Sequence, residues 1–108
     1  MASSKSYIQD HHKDYLSVLA YIYLENNQPE KAIKIYTALW YLFPESKEIA
    51  FYLSYLHLRI REYETALFYA DQYLSRKKTA LGSLLKGQAL FKLDRPLEAR
   101  DAIRNLLN

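Results

Sequence analysis

The stretch that decides the fold spans residues 16–44 and reads LSVLAYIYLENNQPEKAIKIYTALWYLFP. Leu16 and Tyr23 lie seven residues apart, so they share one face of a first helix. A polar Asn-Asn-Gln corner follows, and Pro29 suits the first turn of a second helix. Pro44 ends that second helix, because proline cannot continue it. The stretch therefore predicts two helices joined by a tight corner.

The same pattern recurs along the chain. Ala32, Ala66 and Ala99 each lie early in a helical segment, with spacings of 34 and 33 residues. Each alanine follows a polar corner, at residues 26–29, 59–62 and 92–96. A helix–turn–helix unit of 34 residues is the tetratricopeptide period. The sequence therefore predicts an all-α fold of three tetratricopeptide helix-turn-helix repeats, stacked as a short right-handed superhelix.

The repeats divide a single domain, residues 1–108. Their predicted bounds are about 13–46, 47–79 and 80–108, and residues 1–9 are expected to fray. The predicted helices span 10–25, 29–42, 46–60, 62–76, 79–93 and 96–107. Ser46 and Thr79 are the predicted N-caps of the third and fifth helices. The second and third repeats match the pattern in part, as is common for end repeats.

Composition excludes several function classes. The chain has no Cys, so disulfide scaffolds and thiolate metal sites are excluded. It has no apolar run of signal-peptide or membrane-spanning length, so we expect a cytoplasmic protein without membrane insertion. The net charge of +3 is mild, and the run Arg76-Lys77-Lys78 is interpreted as a solvated helix end rather than a nucleic-acid patch.

No motif in the chain predicts catalysis. It contains no glycine-rich phosphate loop and no nucleophile elbow. His11 and His12 are adjacent, so they point about 100° apart on a helix and do not form the i, i+4 pair of a metal site. His57 takes an aromatic position of the repeat and is interpreted as a packed histidine. We therefore expect a non-enzymatic protein with no cofactor and no metal.

The candidate binding surface is the concave groove that the first helices of tetratricopeptide repeats line. The groove-facing positions are Tyr21, Leu24, Phe51, Tyr52, Tyr55, Leu58, Arg59, Leu84, Gln88, Phe91 and Lys92. One hypothesis is that neighbouring helices or the chain's own N-terminal segment cover them. The other is an exposed apolar groove that binds an extended segment or an amphipathic helix. Tyr52, Tyr55, Leu58 and Phe91 are then the predicted anchors, while Arg59 and Lys92 guide an acidic flank.

Two segments carry a resemblance to a known family. Residues 37–45, TALWYLFPE, and residues 93–100, LDRPLEAR, resemble the end of the first repeat and the last corner of small tetratricopeptide chaperones of bacterial type III secretion, of the YscY type. The needle-subunit chaperone is a close alternative. The resemblance implies a cytoplasmic bacterial virulence chaperone that holds a small secreted client or an export-apparatus component before secretion. It also implies contact with the export gate.

Two further hypotheses stay open at this point. A generic adaptor or scaffold would join two protein partners, with Trp40, Tyr41 and Phe43 exposed on the outer face as a second site. A homodimer or a hetero-complex would form if empty apolar grooves pair with each other or with a partner. Neither hypothesis involves nucleic acid.

Overall fold

The predicted all-α class is confirmed. The computed structural model describes residues 10–104, with side chains from residue 13 onward. Within this range the chain forms six helices and no strand. They are α1 (Asp10–Glu25), α2 (Pro29–Leu42), α3 (Lys47–Arg59), α4 (Tyr63–Leu74), α5 (Ala80–Lys92) and α6 (Pro96–Arg104). The predicted frayed start at 1–9 and the last four residues of the third repeat lie outside the described residues.

The six helices pair into three hairpins that turn in the same way. Asn27, Arg61 and Asp94 hold the left-handed conformation, with φ of 58°, 65° and 61°. In each corner the next residue's N–H donates to a carbonyl five residues back: Gln28 to Tyr23 at 2.9 Å, Glu62 to His57 at 2.8 Å, and Arg95 to Leu90 at 2.9 Å. This is the Schellman arrangement, which satisfies carbonyls left free at a helix end. The three corners recur at spacings of 34 and 33 residues, the spacings of the alanines in the sequence.

Small residues let the two helices of a hairpin approach closely. Ser54 on α3 is fully buried, and its Oγ donates to the carbonyl oxygen of Ala66 on α4 at 2.8 Å. The equivalent residue in the third hairpin is Gly87, where an added Cβ would lie 3.5 Å from the carbonyl oxygen of Ala99. Backbone and side chain thus meet at the same place in both hairpins, and a larger residue on the first helix would force them apart.

The helix starts follow capping chemistry. Ser46 Oγ accepts from the N–H of Ile49 at 3.5 Å, and Thr79 Oγ1 accepts from the N–H of Gly82 at 3.1 Å. Pro29 occupies the first turn of α2, where its missing N–H costs no hydrogen bond. Both predicted caps are confirmed, and predicted helix ends within the described residues agree to within two residues.

Each helix packs mainly against the helices next to it in the chain, and α3 also contacts α5. The larger core cluster fills the first two hairpins and consists of Ala20, Leu24, Ala32, Tyr36, Leu39, Phe43, Ile49, Leu53 and Leu56. A smaller cluster of Leu90, Ala99 and Ala102 lies in the third hairpin, with Leu67 packed against it. Within residues 10–104, no helix combines the length and the apolar character needed to cross a membrane.

Candidate functional site

A cleft opens between α1 and α3, the first helices of the first two hairpins. Its volume is about 370 Å³. It is lined by Lys13, Asp14, Ser17, Val18, Tyr21, Tyr36, Ser46, Glu48, Ile49 and Tyr52. Tyr36 reaches it from α2 and is only 2% exposed, so it forms the floor. The walls are mostly apolar, which suits an aliphatic or aromatic side chain.

Three tyrosines give this cleft its shape. Tyr52 stacks on Tyr36 with ring centroids 5.3 Å apart and planes 11° apart. Tyr21 meets Tyr52 edge-on at 6.3 Å. Burial raises the pKa of Tyr36 well above its usual range, and the neighbouring Glu25 carboxylate raises the pKa of Tyr21. Both phenols therefore stay neutral at physiological pH, and the cleft offers rings and hydroxyl groups rather than charge.

Charged side chains stand at the rim of the cleft. Lys13 Nζ lies 5.0 Å above the ring of Phe43, a cation–π contact. Partial burial opposes ionisation of Glu48, yet hydrogen bonds from its own backbone, Lys47 and Ser46 hold its pKa below the usual value. Lys47 Nζ lies 3.4 Å from the Glu48 carboxylate. The rim thus carries both signs of charge around an apolar interior.

The aromatic surface continues along α3. Phe51 packs against Tyr52 at 5.5 Å and against Tyr73 of α4 at 5.3 Å. Tyr55 is 38% exposed, and the Arg59 guanidinium lies 5.9 Å from its ring centroid. Arg59 also donates to Asn27 Oδ1 in the first corner. This bond fixes the cation at the end of α3, beside the exposed Tyr55.

The candidate residues of the third repeat line a different cleft. It lies between α5 and α6, has a volume of about 620 Å³, and is lined by Leu84, Gly87, Gln88, Phe91, Pro96, Ala99, Arg100 and Ile103. Leu84 is 46% and Phe91 is 67% exposed, and Lys92 is exposed beside them. The structure therefore brings Tyr21 and Tyr52 together in one cleft and Leu84, Gln88 and Phe91 in another. Phe51, Tyr55, Leu58 and Arg59 line neither cleft.

One predicted groove residue is not available to a partner. Leu24 is 8% exposed and belongs to the core cluster with Ala20, Leu53 and Leu56. Its place in the groove list is corrected, because its side chain points between the packed helices. Leu58, at the same position in the next hairpin, is half-buried.

The cleft also contains residues that the sequence did not point to. Val18 and Ile49 line it from α1 and α3, and Tyr36 closes it from below. The groove register considered only one face of each first helix, so a second-helix residue such as Tyr36 fell outside it. The aromatic repeat position of Tyr36 was nevertheless a signal of close packing.

The outer face offers less than the adaptor hypothesis requires. Phe43 is 6% exposed and lies in the core cluster. Trp40 is partly buried and meets Tyr69 edge-on at 5.4 Å. Of the three residues in that hypothesis only Tyr41 is well exposed, at 80%. A second aromatic site made of all three side chains is therefore corrected.

His57 is placed by packing and by one carboxylate. It is 8% exposed, stacks on Tyr69 at 5.7 Å, and its Nδ1 lies 2.8 Å from Glu62 Oε1. In the part of the chain that the structure describes, no group of three or more His, Asp or Glu side chains is arranged to hold a metal ion. The histidine thus links the end of α3 to the start of α4.

A scan against protein-family models returns no matching family, and a search of curated proteins returns no significant match.

Proposed function

We propose that this chain is a non-catalytic, protein-binding chaperone built of three tetratricopeptide repeats, which holds a client segment against its first-helix surface. The repeat assignment is supported by three identical corners at 34- and 33-residue spacings. It is also supported by the small residues at the closest approach within each hairpin. In such a stack the first helices line one surface, which here is α1, α3 and α5.

The observation that carries the binding function is an exposed aromatic and aliphatic surface along these three helices. Tyr21 and Tyr55 are 45% and 38% exposed, and Leu84 and Phe91 are more exposed still. The 370 Å³ cleft provides a pocket within that surface. A contiguous apolar surface on a small protein marks an interaction site. Side chains of the client would enter the cleft as anchors.

The client segment would carry apolar anchors and an acidic flank. An amphipathic helix or an extended segment places side chains at regular intervals along such a surface. Arg59 and Lys92 lie at the ends of α3 and α5, where they would attract acidic residues of the client. The type III secretion role, the small secreted client and the contact with the export gate rest on the sequence resemblance. In that role the chaperone keeps the client soluble in the bacterial cytoplasm until export.

The test compares matched tyrosine substitutions in the source organism. Tagged wild-type chain, Tyr21→Glu, Tyr55→Glu and the outer-face control Tyr41→Glu are each purified, and bound proteins are identified by mass spectrometry. We expect wild type and Tyr41→Glu to retain one small secreted protein at roughly equal stoichiometry. Tyr21→Glu and Tyr55→Glu should lose it, because a buried, unpaired carboxylate is costly at an interface. Far-UV circular dichroism verifies that all four proteins remain helical.

A second readout uses stability. A client that binds only the folded chain raises its Tm by mass action, and the rise should be absent in Tyr55→Glu. If all four proteins retain the same set of cytosolic proteins, the chaperone proposal fails. If the secreted client remains bound to both groove variants, the surface along α1 and α3 is not the binding site.

A further inference from the structure

The junctions between consecutive hairpins follow one geometry. At the first junction Tyr52 of α3 stacks on Tyr36 of α2 at 5.3 Å. At the second junction Lys86 of α5 reaches Asp71 of α4 with an Nζ–Oδ1 distance of 2.9 Å. In both cases the first helix of a hairpin covers the second helix of the hairpin before it. The 34- and 33-residue spacings therefore state which residues are equivalent at each junction.

The stack leaves one half of this junction uncovered on α1. Tyr15 and Ile22 are 68% and 46% exposed. Their equivalents on α3 are Ile49 and Leu56, which are 2% and 0% exposed because α2 lies against them. Tyr15 and Ile22 line neither of the two clefts. The exposed face of α1 thus has the composition of a covered junction but no hairpin over it.

The other half is uncovered on the α5–α6 hairpin. Ile103 is equivalent to Tyr36 and Ala70, and it is 40% exposed where they are 2% and 0% exposed. Phe91 is equivalent to Leu24, and it is 67% exposed where Leu24 is 8% exposed. Both residues line the 620 Å³ cleft between α5 and α6. In the earlier hairpins, the next first helix lies over these positions.

The two uncovered halves also differ in charge. The α1 segment carries three acidic side chains and one lysine. The α5–α6 hairpin, residues 80–104, carries five basic and three acidic side chains. Opposite net charges on two faces favour their encounter and disfavour the pairing of either face with itself. The faces are therefore complementary in charge as well as in repeat register.

We propose that a second copy of this chain docks head to tail, with its α1 lying over the cleft between α5 and α6. Val18 of one copy then packs against Ile103 of the other, as Tyr52 packs against Tyr36 within the chain. The contact joins two different faces, so it is heterologous and leaves one free face at each end of the assembly. Association continues with rising concentration and extends the stack. This surface is distinct from the proposed client site, and its test is independent of that site.

Sedimentation velocity tests the proposal on the purified full-length chain, from micromolar to submillimolar concentration. Wild type should sediment faster as its concentration rises. Ile22→Glu blocks the α1 face and Ile103→Glu blocks the hairpin face, and each should weaken association on the order of a hundredfold by burying an unpaired charge. Leu97→Glu is the matched control, because Leu97 is 66% exposed on α6 and lies outside the cleft. It should associate as wild type does.

The mixture of the two blocked variants gives the decisive measurement. The Ile22→Glu copy keeps an intact hairpin face and the Ile103→Glu copy keeps an intact α1 face, so an equimolar mixture should form a dimer that goes no further. Tyr15→Glu and Phe91→Glu replace either variant if its helical signal is lost. A wild-type chain that stays monomeric throughout overturns the proposal and assigns the faces to another helix. A mixture that stays monomeric while wild type associates also overturns it, because the contact is then not head to tail.

Discussion

The two glycines, both in α5, respond differently to the same substitution. Alanine in place of glycine favours a helix by up to about 1 kcal/mol, so Gly82→Ala and Gly87→Ala begin with a similar gain. An added Cβ at Gly82 would lie 2.7 Å from Tyr73 Cε2 and 2.8 Å from Leu74 Cδ2. An added Cβ at Gly87 would lie 2.7 Å from Ile103 Cγ1. Both contacts require a neighbour to move, and the outcome depends on which neighbour can.

Tyr73 is held on two sides. Thr79 Oγ1 donates to its phenol oxygen at 3.1 Å, and Phe51 packs on its ring at 5.3 Å. It is 8% exposed, so no open space receives the displaced ring. Overpacking of this kind costs about 1–3 kcal/mol. With the helix gain subtracted, Gly82→Ala should lower the free energy of unfolding by about 1 kcal/mol.

Ile103 has space to move. It is 40% exposed and lies at the open side of the α5–α6 hairpin. Its side chain can rotate toward solvent, so the added methyl group of Gly87→Ala causes little strain. The helix gain then remains, and this variant should be stabilised by up to about 1 kcal/mol.

The assay is thermal unfolding of wild type and both variants, followed by far-UV circular dichroism at low micromolar concentration. A difference of about 2 kcal/mol between the variants corresponds to a gap of about 8 °C or more in Tm for a chain of this size. Gly82→Ala should unfold below wild type and Gly87→Ala at or above it. If Gly87→Ala lowers Tm as much as Gly82→Ala does, the argument from neighbour mobility is refuted.

Two further predictions concern buried aromatic residues. Burial raises the pKa of Tyr36, whereas an unfolded tyrosine titrates near pH 10, so this contribution to stability is complete below about pH 10 and is lost as the pH rises further, by about 1.4 kcal/mol per pH unit. Urea titrations should show a shallower alkaline loss for Tyr36→Phe, and an unchanged slope would contradict the assignment. Trp40→Glu should destabilise by about 3 kcal/mol because Trp40 packs on Tyr69, whereas Tyr41→Glu should change stability by less than about 0.5 kcal/mol. Equal Tm values for these two variants would place Trp40 outside the core.

The helices and corners were predictable because local chemistry determines them. Pro29 and Pro96 each begin a second helix, and Asn27 tolerates the left-handed conformation that its corner needs. The middle corner has neither proline nor glycine, and Arg61 adopts the positive φ there. Local residue preference did not predict that corner, and it was located from the repeat spacing alone.

Exposure in the candidate site was not predictable to the same degree. Leu24, Leu58 and Phe91 hold one repeat position, yet they are buried, half-buried and 67% exposed in turn. The difference arises from which helix lies over each of them, a tertiary property that the repeat register does not contain. Phe43 was expected outside for a related reason. It follows α2 directly, and its ring packs inward, where it joins the core cluster.

The packing of each helix mainly against its neighbours has a consequence for local opening. The middle hairpin, α3 and α4, has a hairpin on each side, whereas α1 and α6 each have open flanks. Stacks of this kind lose structure from their ends, since an outer unit can detach while the inner contacts persist. Amide hydrogens in α3 and α4 would therefore exchange slowest with solvent. Any partner that binds an outer helix would slow exchange there first, which makes amide protection a direct map of occupancy along the stack.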